Sequence, residues 1–175
     1  KENHNLFLGY HKNKPDFDYP SHQVNADNFD SLMSFVREGK ESMESVDALI
    51  CLPGTLILKP AHKCTEEDFK NTVSNNFKAA FSAVRASGEL LRDCAVILMS
   101  TAAASIGLAN HELISGVKSG VEGIAKSASK TYARKNLRFN TVSPGLVDTP
   151  LTSNITSNDI ILQASKKMLA IQRIG

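Results

Sequence analysis

The chain has 175 residues, 42% hydrophobic and 22% charged, with 20 basic and 18 acidic side chains for a net charge of +2, the balance of one domain or part of one around a single core. The charges are spread along the sequence, so nucleic acid is not expected as a partner. No apolar run approaches the roughly 20 residues of a bilayer span and no basic-then-apolar leader is seen, so no membrane partner is expected either.

Cys51, Cys64 and Cys94 are odd in number and widely spaced, which suits free thiols and makes the cytoplasm the expected location. The chain opens at Lys1 and closes on "AIQRIG" in mid-phrase; an excerpt of a longer polypeptide is expected.

In chain order, "NLFLGYH" (5–11) and "SHQVNA" (21–26) are the first two predicted strands, separated by a stretch rich in proline and aromatics. "NFDSLMSFVREGKESM" carries Phe29, Leu32, Phe35 and Val36 on one face and predicts a helix. "VDALICLPG" (46–54) is nearly all apolar, as a strand covered on both faces should be. Residues 65–93 predict the strongest helix, with Thr65 as N-cap and acids in the first turn. "CAVILMS" (94–100) predicts a buried strand, "TAAASIGLAN" a loop, 112–136 a helix, 137–143 a strand before the turn "PGLVDTP", and 157–171 a last helix. The alternation of strands and helices is that of an α/β fold with a doubly wound parallel sheet. One domain, 1–175, accounts for it.

In such sheets ligands sit beyond the carboxyl ends of the strands. The residues there are Asn25 and Ala26, Pro53 and Gly54, Ser100 and Thr101, then Pro144, Gly145 and Thr149, small, hydroxylated or turn-forming types that let backbone approach a ligand. No metal-ligand set is assigned.

Residues 99–150, "MSTAAASIGLANHELISGVKSGVEGIAKSASKTYARKNLRFNTVSPGLVDTP", resemble the short-chain dehydrogenase/reductase family between its catalytic serine and its nicotinamide loop. The likeness extends back through "NNFKAAF", "VDALICLPG", "QVNADNFDSL" and "LFLGYHK". It implies a Rossmann-type sheet, incomplete here, with NAD(P)(H) acting on an alcohol or carbonyl substrate.

In that family a tyrosine exchanges the proton at the carbonyl oxygen. A lysine four residues later lowers the phenol's pKa and holds the nicotinamide ribose, a serine polarises the carbonyl, and an asparagine holds a water that links the lysine to solvent. By position the lysine is Lys118, the asparagine Asn76 and the serine Thr101, whereas the tyrosine falls on Ile114. An aliphatic chain has no proton to give, so the roughly 10²- to 10⁴-fold contribution of general acid catalysis is missing. Tyr132, eighteen residues along the same helix, is about 27 Å away and cannot replace it. His111, Glu112 or a water relay is the remaining substitute.

The resemblance also assigns the cofactor side. Asn25 stands where an aspartate usually accepts from adenine, with Ala26 beside it. Gly54 is the surviving residue of an asparagine-asparagine-alanine-glycine motif, and Pro144, Gly145, Val147 and Thr149 form the carboxamide-binding turn. His11 and Lys12 stand where NADP-preferring members place basic residues, a slight lean to NADP(H) over NAD(H). The family's glycine-rich phosphate turn does not occur in these residues, and its strand belongs between those starting at Asn5 and Val46, leaving a slot of about 9.6 Å, two strand spacings. Either a strand preceding Lys1 fills it or the two halves close up. Binding by these residues alone is therefore in doubt.

Gly116, Gly120 and Gly123 each cost up to about 1 kcal/mol in a helix interior, which a tight helix-to-helix contact would explain; the family forms dimers and tetramers through this helix. The resemblance thus leaves three readings: an oxidoreductase-derived cofactor binder with weak or no turnover, a non-catalytic scaffold or regulatory subunit interacting through helix 112–136, and an enzyme with a substitute acid.

Overall fold

The computed structural model describes residues 5–175. Five strands run parallel: β1 (Leu8–Tyr10), β2 (Ser21–Gln23), β3 (Ala48–Cys51), β4 (Ala95–Met99) and β5 (Arg138–Val142). They form two sheets, β1-β2 and β3-β4-β5. Leu8 lies opposite Ser21 in the first, and Ile50, Ile97 and Asn140 form one row of the second. The expected slot persists, because β1 and β3 make no ladder with one another among the described residues; the two halves have not closed up.

The helices are α1 (Phe29–Ser42), α2 (Glu66–Thr72), α3 (Ala79–Leu90), the single turn α4 (Ala103–Ile106), α5 (Glu112–Thr131), α6 (Ser153–Thr156) and α7 (Asp159–Lys167). Thr65 caps α2 as expected, its hydroxyl accepting from Asp68 N–H while the Asp68 carboxylate accepts from Thr65 N–H, so two otherwise orphaned donors are satisfied. Asn28 caps α1 more simply, its Oδ1 accepting from Ser31 N–H.

Between α2 and α3 the predicted single helix changes pitch, residues Val73–Lys78 forming a π-helical turn. Such a wide turn places one extra residue without breaking the rod and is frequent at functional sites. Asn76 sits within it.

The core is built from Val96 and Leu98 of β4, Phe139 of β5 and Cys51 of β3, packed against Ala83 and Val84 of α3 and Val121, Ala125 and Ala128 of α5. All these residues project to one side of the sheet. The other side is open: Ile50 is 57% exposed and Val142 47%. This corrects the expectation that β3 is covered on both faces. Among the described residues α3 and α5 pack on the same face, with α1 beside α3, and a four-residue strand of uniformly apolar composition reads the same whether one face or two are covered.

Three smaller corrections share one cause, contacts distant in sequence. Phe29 does not enter the core; it is 37% exposed and stacks near Phe81, with Lys78 and Arg85 over its ring, while Met33 takes an inward position. The loop 101–110 contains α4, and the helix expected over 112–136 ends at Thr131, followed by a tight turn at Ala133–Lys135 and left-handed Asn136 (φ 53°). Of the three glycines of α5, only Gly120 is in close contact with another element among the described residues, where a Cβ would lie 2.9 Å from Phe77.

Candidate functional site

Lys118 lies on α5, is only 8% exposed, and donates from Nζ to the Met99 carbonyl at 2.9 Å. The amine is therefore held inside the fold rather than reaching out to water. Met99 ends β4, so the amine is anchored at the carboxyl end of the central strand of the β3-β4-β5 sheet. Burial holds its pKa below the ordinary lysine range, offset in part by the Cys51 thiol. Burial likewise pushes Cys51 up to about 11, with Lys118 pulling the other way; the thiol is neutral at pH 7 and is no counterion. Ile114, one turn before Lys118, is 3% exposed and packs as an aliphatic core residue.

Asn76 is 1% exposed. Its Nδ2 donates to the Thr72 carbonyl at 2.9 Å and to Thr55 Oγ1 at 3.0 Å, and its Oδ1 accepts from Thr55 N–H at 3.3 Å. The side chain is thus saturated by Thr72 and Thr55 and ties the π-helical turn to the loop after β3. Thr55 was not identifiable from sequence, where it is one more hydroxyl after a Pro-Gly turn.

Gly54 brings Asn76 and Lys118 together: a Cβ there would stand 2.9 Å from Asn76 Oδ1 and 3.5 Å from Lys118 Nζ. The first distance is shorter than a normal van der Waals contact, and Asn76 is buried and held at both ends, so it cannot yield cheaply. Gly54→Ala is expected to cost about 1–3 kcal/mol of stability, as overpacking does. Urea unfolding of the two proteins checks this, and equal midpoints would show that Asn76 is free to move.

Thr101 is half-buried at the end of β4 and its Oγ1 accepts from Ala103 N–H at 3.3 Å. It caps the turn into α4 and still has its O–H to donate. Its neighbour Ser100 donates to Glu122 Oε1 at 2.6 Å and lies 3.4 Å from the Lys118 carbonyl, so β4 and α5 are stitched together beside the amine. The turn after β5 is tethered to the same loop by Ala102 N–H donating to the Pro144 carbonyl at 3.0 Å. Gly145 is exposed. The Val147 carbonyl accepts from Thr152 Oγ1 at 2.6 Å, and Thr149 caps the short turn Pro150–Thr152. His111 Nδ1 bonds its own loop at the Ala109 carbonyl, 2.8 Å away.

A separate cavity of about 90 Å³ opens between the two sheets, lined by Tyr10, His11, Asn25, Ala26, Pro53 and Asn75. His11, Asn25 and Ala26 share its wall; Lys12 is exposed and not in its wall. The candidate residues thus fall in two places, an amide and small residues around this cavity and a buried amine beside a glycine at the carboxyl end of β4. Residues to grip a pyrophosphate between them do not occur as a glycine-rich turn.

The profile of the family described as enoyl-(acyl carrier protein) reductase matches residues 12–175. A tropinone reductase homolog of Arabidopsis thaliana is 26% identical over 144 residues, 76% of this chain and 54% of its own. A hydroxynaphthalene reductase-like protein of Metarhizium acridum is 32% identical over 117 residues, 66% of this chain and 44% of its own. The chain thus spans about half the length of the curated relatives it matches. A dehydrogenase/reductase from Sinorhizobium meliloti superposes with a TM-score of 0.84 at 20% identity, over 97% of this chain and 71% of that one. ElxO, solved with NADP bound, superposes at 0.79 and 18% identity, over 90% of this chain and 65% of its own. With its parallel strands, its buried lysine at the sheet's carboxyl edge and a profile match over most of its length, the chain belongs to the short-chain dehydrogenase/reductase family.

Proposed function

We propose that this chain is an NAD(P)(H)-binding oxidoreductase domain in which hydride transfer between alcohol and carbonyl is slow or absent. The observation that carries the reading is Lys118, buried beside Gly54 and Asn76 with aliphatic Ile114 one turn before it. In this reading the amine holds the nicotinamide ribose, Thr101 polarises a substrate carbonyl, and Pro144, Gly145, Val147 and Thr149 receive the carboxamide. Asn25 and Ala26 take the adenine end, and exposed His11 and Lys12 favour the 2'-phosphate of NADP(H). The cofactor, when bound, supplies the hydride. The missing element on the chain's side is a proton donor near the carbonyl oxygen, because Ile114 has none and His111 Nδ1 is already bonded to its own loop. The cytoplasm suits the free thiols Cys51, Cys64 and Cys94.

Fluorescence titration with NADPH tests the reading. Saturable binding that weakens in Thr149→Ala, and is weaker for NADH, is expected; no saturation at millimolar cofactor would remove the cofactor role.

A second reading, a scaffold or regulatory homodimer that interacts through α5, rests on a different feature. Phe81, Val84, Arg85, Ile124, Ser127 and Thr131 line an open groove of about 450 Å³ along α3 and α5, and Phe81 is 42% exposed. Sedimentation equilibrium of Ile124→Glu against the parent protein decides it: a dimer that becomes a monomer supports the interface, and a monomer in both removes it.

A further inference from the structure

We propose that Glu122 is a positioning residue for the nicotinamide end of the site: one of its carboxylate oxygens sets the spacing between the loop that begins at Thr101 and the turn that begins at Pro144. The role in binding rests on the cofactor reading given above. Glu122 stands one turn after Lys118 on the same face of α5, and a single atom of it receives two hydroxyls. Ser100, the residue before Thr101, donates to Oε1 at 2.6 Å. Ser143, the residue before Pro144, donates to the same oxygen at 3.3 Å. Consecutive turns of α5 thus grip the chain where β4 ends, Lys118 at the Met99 carbonyl and Glu122 at the Ser100 hydroxyl. Backbone bonds close the arrangement, Ser100 N–H donating to the Val142 carbonyl at 2.8 Å and Ala102 N–H to the Pro144 carbonyl at 3.0 Å.

The two bonds are unequal. Ser100 is 4% exposed, and its contact has the length of a hydroxyl donating to a carboxylate, roughly twice as strong as a neutral pair. Ser143 is exposed and its contact is longer, so water competes for it. The other acceptor within reach of the Ser100 hydroxyl among the described residues is the Lys118 carbonyl, 3.4 Å away, at the far end of the hydrogen-bonding range. Without the Glu122 oxygen the hydroxyl would turn to that poorer partner, and the chain ends of β4 and β5 would be free to shift against α5. Thr101 and the turn at Pro144 and Gly145 would then lose their fixed distance from Lys118. Glu122 acts on the site through its two serines and not by contact with a ligand.

Glu122→Leu removes the acceptor, whereas Glu122→Gln keeps an oxygen in its place. Glu122→Leu is expected to bind NADPH about tenfold more weakly than the parent protein, the effect of one hydrogen bond to a charged group, and Glu122→Gln to recover most of that loss. Adenosine 2',5'-bisphosphate, which carries the adenine end alone, is expected to bind all three proteins alike, because His11 and Asn25 line a cavity in which Glu122 takes no part. Ser100→Ala should reproduce most of the Glu122→Leu loss and Ser143→Ala little of it, and Ser100→Ala added to Glu122→Leu should change nothing further. Without any ligand, the Ser100 and Ala102 amides are expected to exchange with deuterium about tenfold faster in Glu122→Leu than in Glu122→Gln. The Val24 amide, bonded to the Tyr10 carbonyl in the other sheet, should keep its rate. Equal exchange of Ser100 and Ala102 in the two variants, or NADPH and the bisphosphate weakened in parallel, overturns the proposal. A parent protein that binds no NADPH sinks only the cofactor reading, and amide exchange then decides by itself whether Glu122 sets the spacing.

Discussion

Ile114→Tyr is expected to raise NADPH-dependent reduction of a carbonyl panel by about 10²- to 10⁴-fold, the contribution of a positioned general acid. The argument begins with helix geometry, which puts position 114 one turn before Lys118 on the same face of α5. A phenol there would meet the buried amine, whose charge favours the phenolate and so draws the phenol's pKa down from about 10 towards the working range. The cost is steric. Ile114 is 3% exposed, and the larger ring should destabilise the fold by about 1–3 kcal/mol, so the variant is to be assayed well below its melting temperature. Three outcomes separate the readings. Turnover that arises only in the variant shows that the acid is what the parent protein lacks. A measurable parental rate that the variant leaves unchanged identifies another donor, and His111→Ala then shows whether it is the imidazole. Saturable NADPH binding with no turnover in either protein places the defect elsewhere than at Ile114.

How far the sequence reached can be seen from individual residues. Lys118, Asn76 and Gly54 were legible together because a family spacing fixes one residue on each of three separate elements, and the structure brings those three within a few ångströms of one another. Ile114 was legible as a packing residue because Val121, Ala125 and Ala128 follow it at helical intervals, and all are buried. The π-helical turn at Val73–Lys78 was not legible, since one extra residue in a turn barely disturbs an apolar period and the partner of its Asn76, Thr55, is distant in sequence. The open face of the β3-β4-β5 sheet was missed for a related reason: "ALIC" says that a strand is apolar, not what lies on its second side. Gly116 and Gly123 looked like packing glycines in the sequence, yet among the described residues outside their own helix turn nothing lies within 4 Å of where their Cβ atoms would be. Composition marks a position as unusual; only the tertiary neighbours say which unusual demand it meets.

Alkaline pH is expected to weaken the fold through Cys51 by about 2 kcal/mol between pH 8 and pH 11. The thiol is 8% exposed, and burial raises its pKa from 9.0 to about 11. The unfolded chain therefore loses this proton first. Between pH 9 and pH 11 the folded state holds more protons than the unfolded one, so stability falls as pH rises; below pH 9 both states are protonated and the contribution is fully present. Lys118 acts with the opposite sign, because its folded pKa lies below its unfolded value: as pH rises between the two, the unfolded chain keeps the proton longer and stability increases. The two groups are neighbours, so their effects partly offset in the parent protein and must be separated by substitution. In Cys51→Ala the thiol's contribution is gone, and urea unfolding should show stability flat or rising over this range where the parent falls further; in Lys118→Met the decline should steepen. Burial also raises Cys94, but that residue is common to all three proteins and cancels in the differences. Parallel pH profiles for the parent and Cys51→Ala would mean that water reaches the Cys51 sulfur, and with it the floor of the site that Lys118 and Gly54 share.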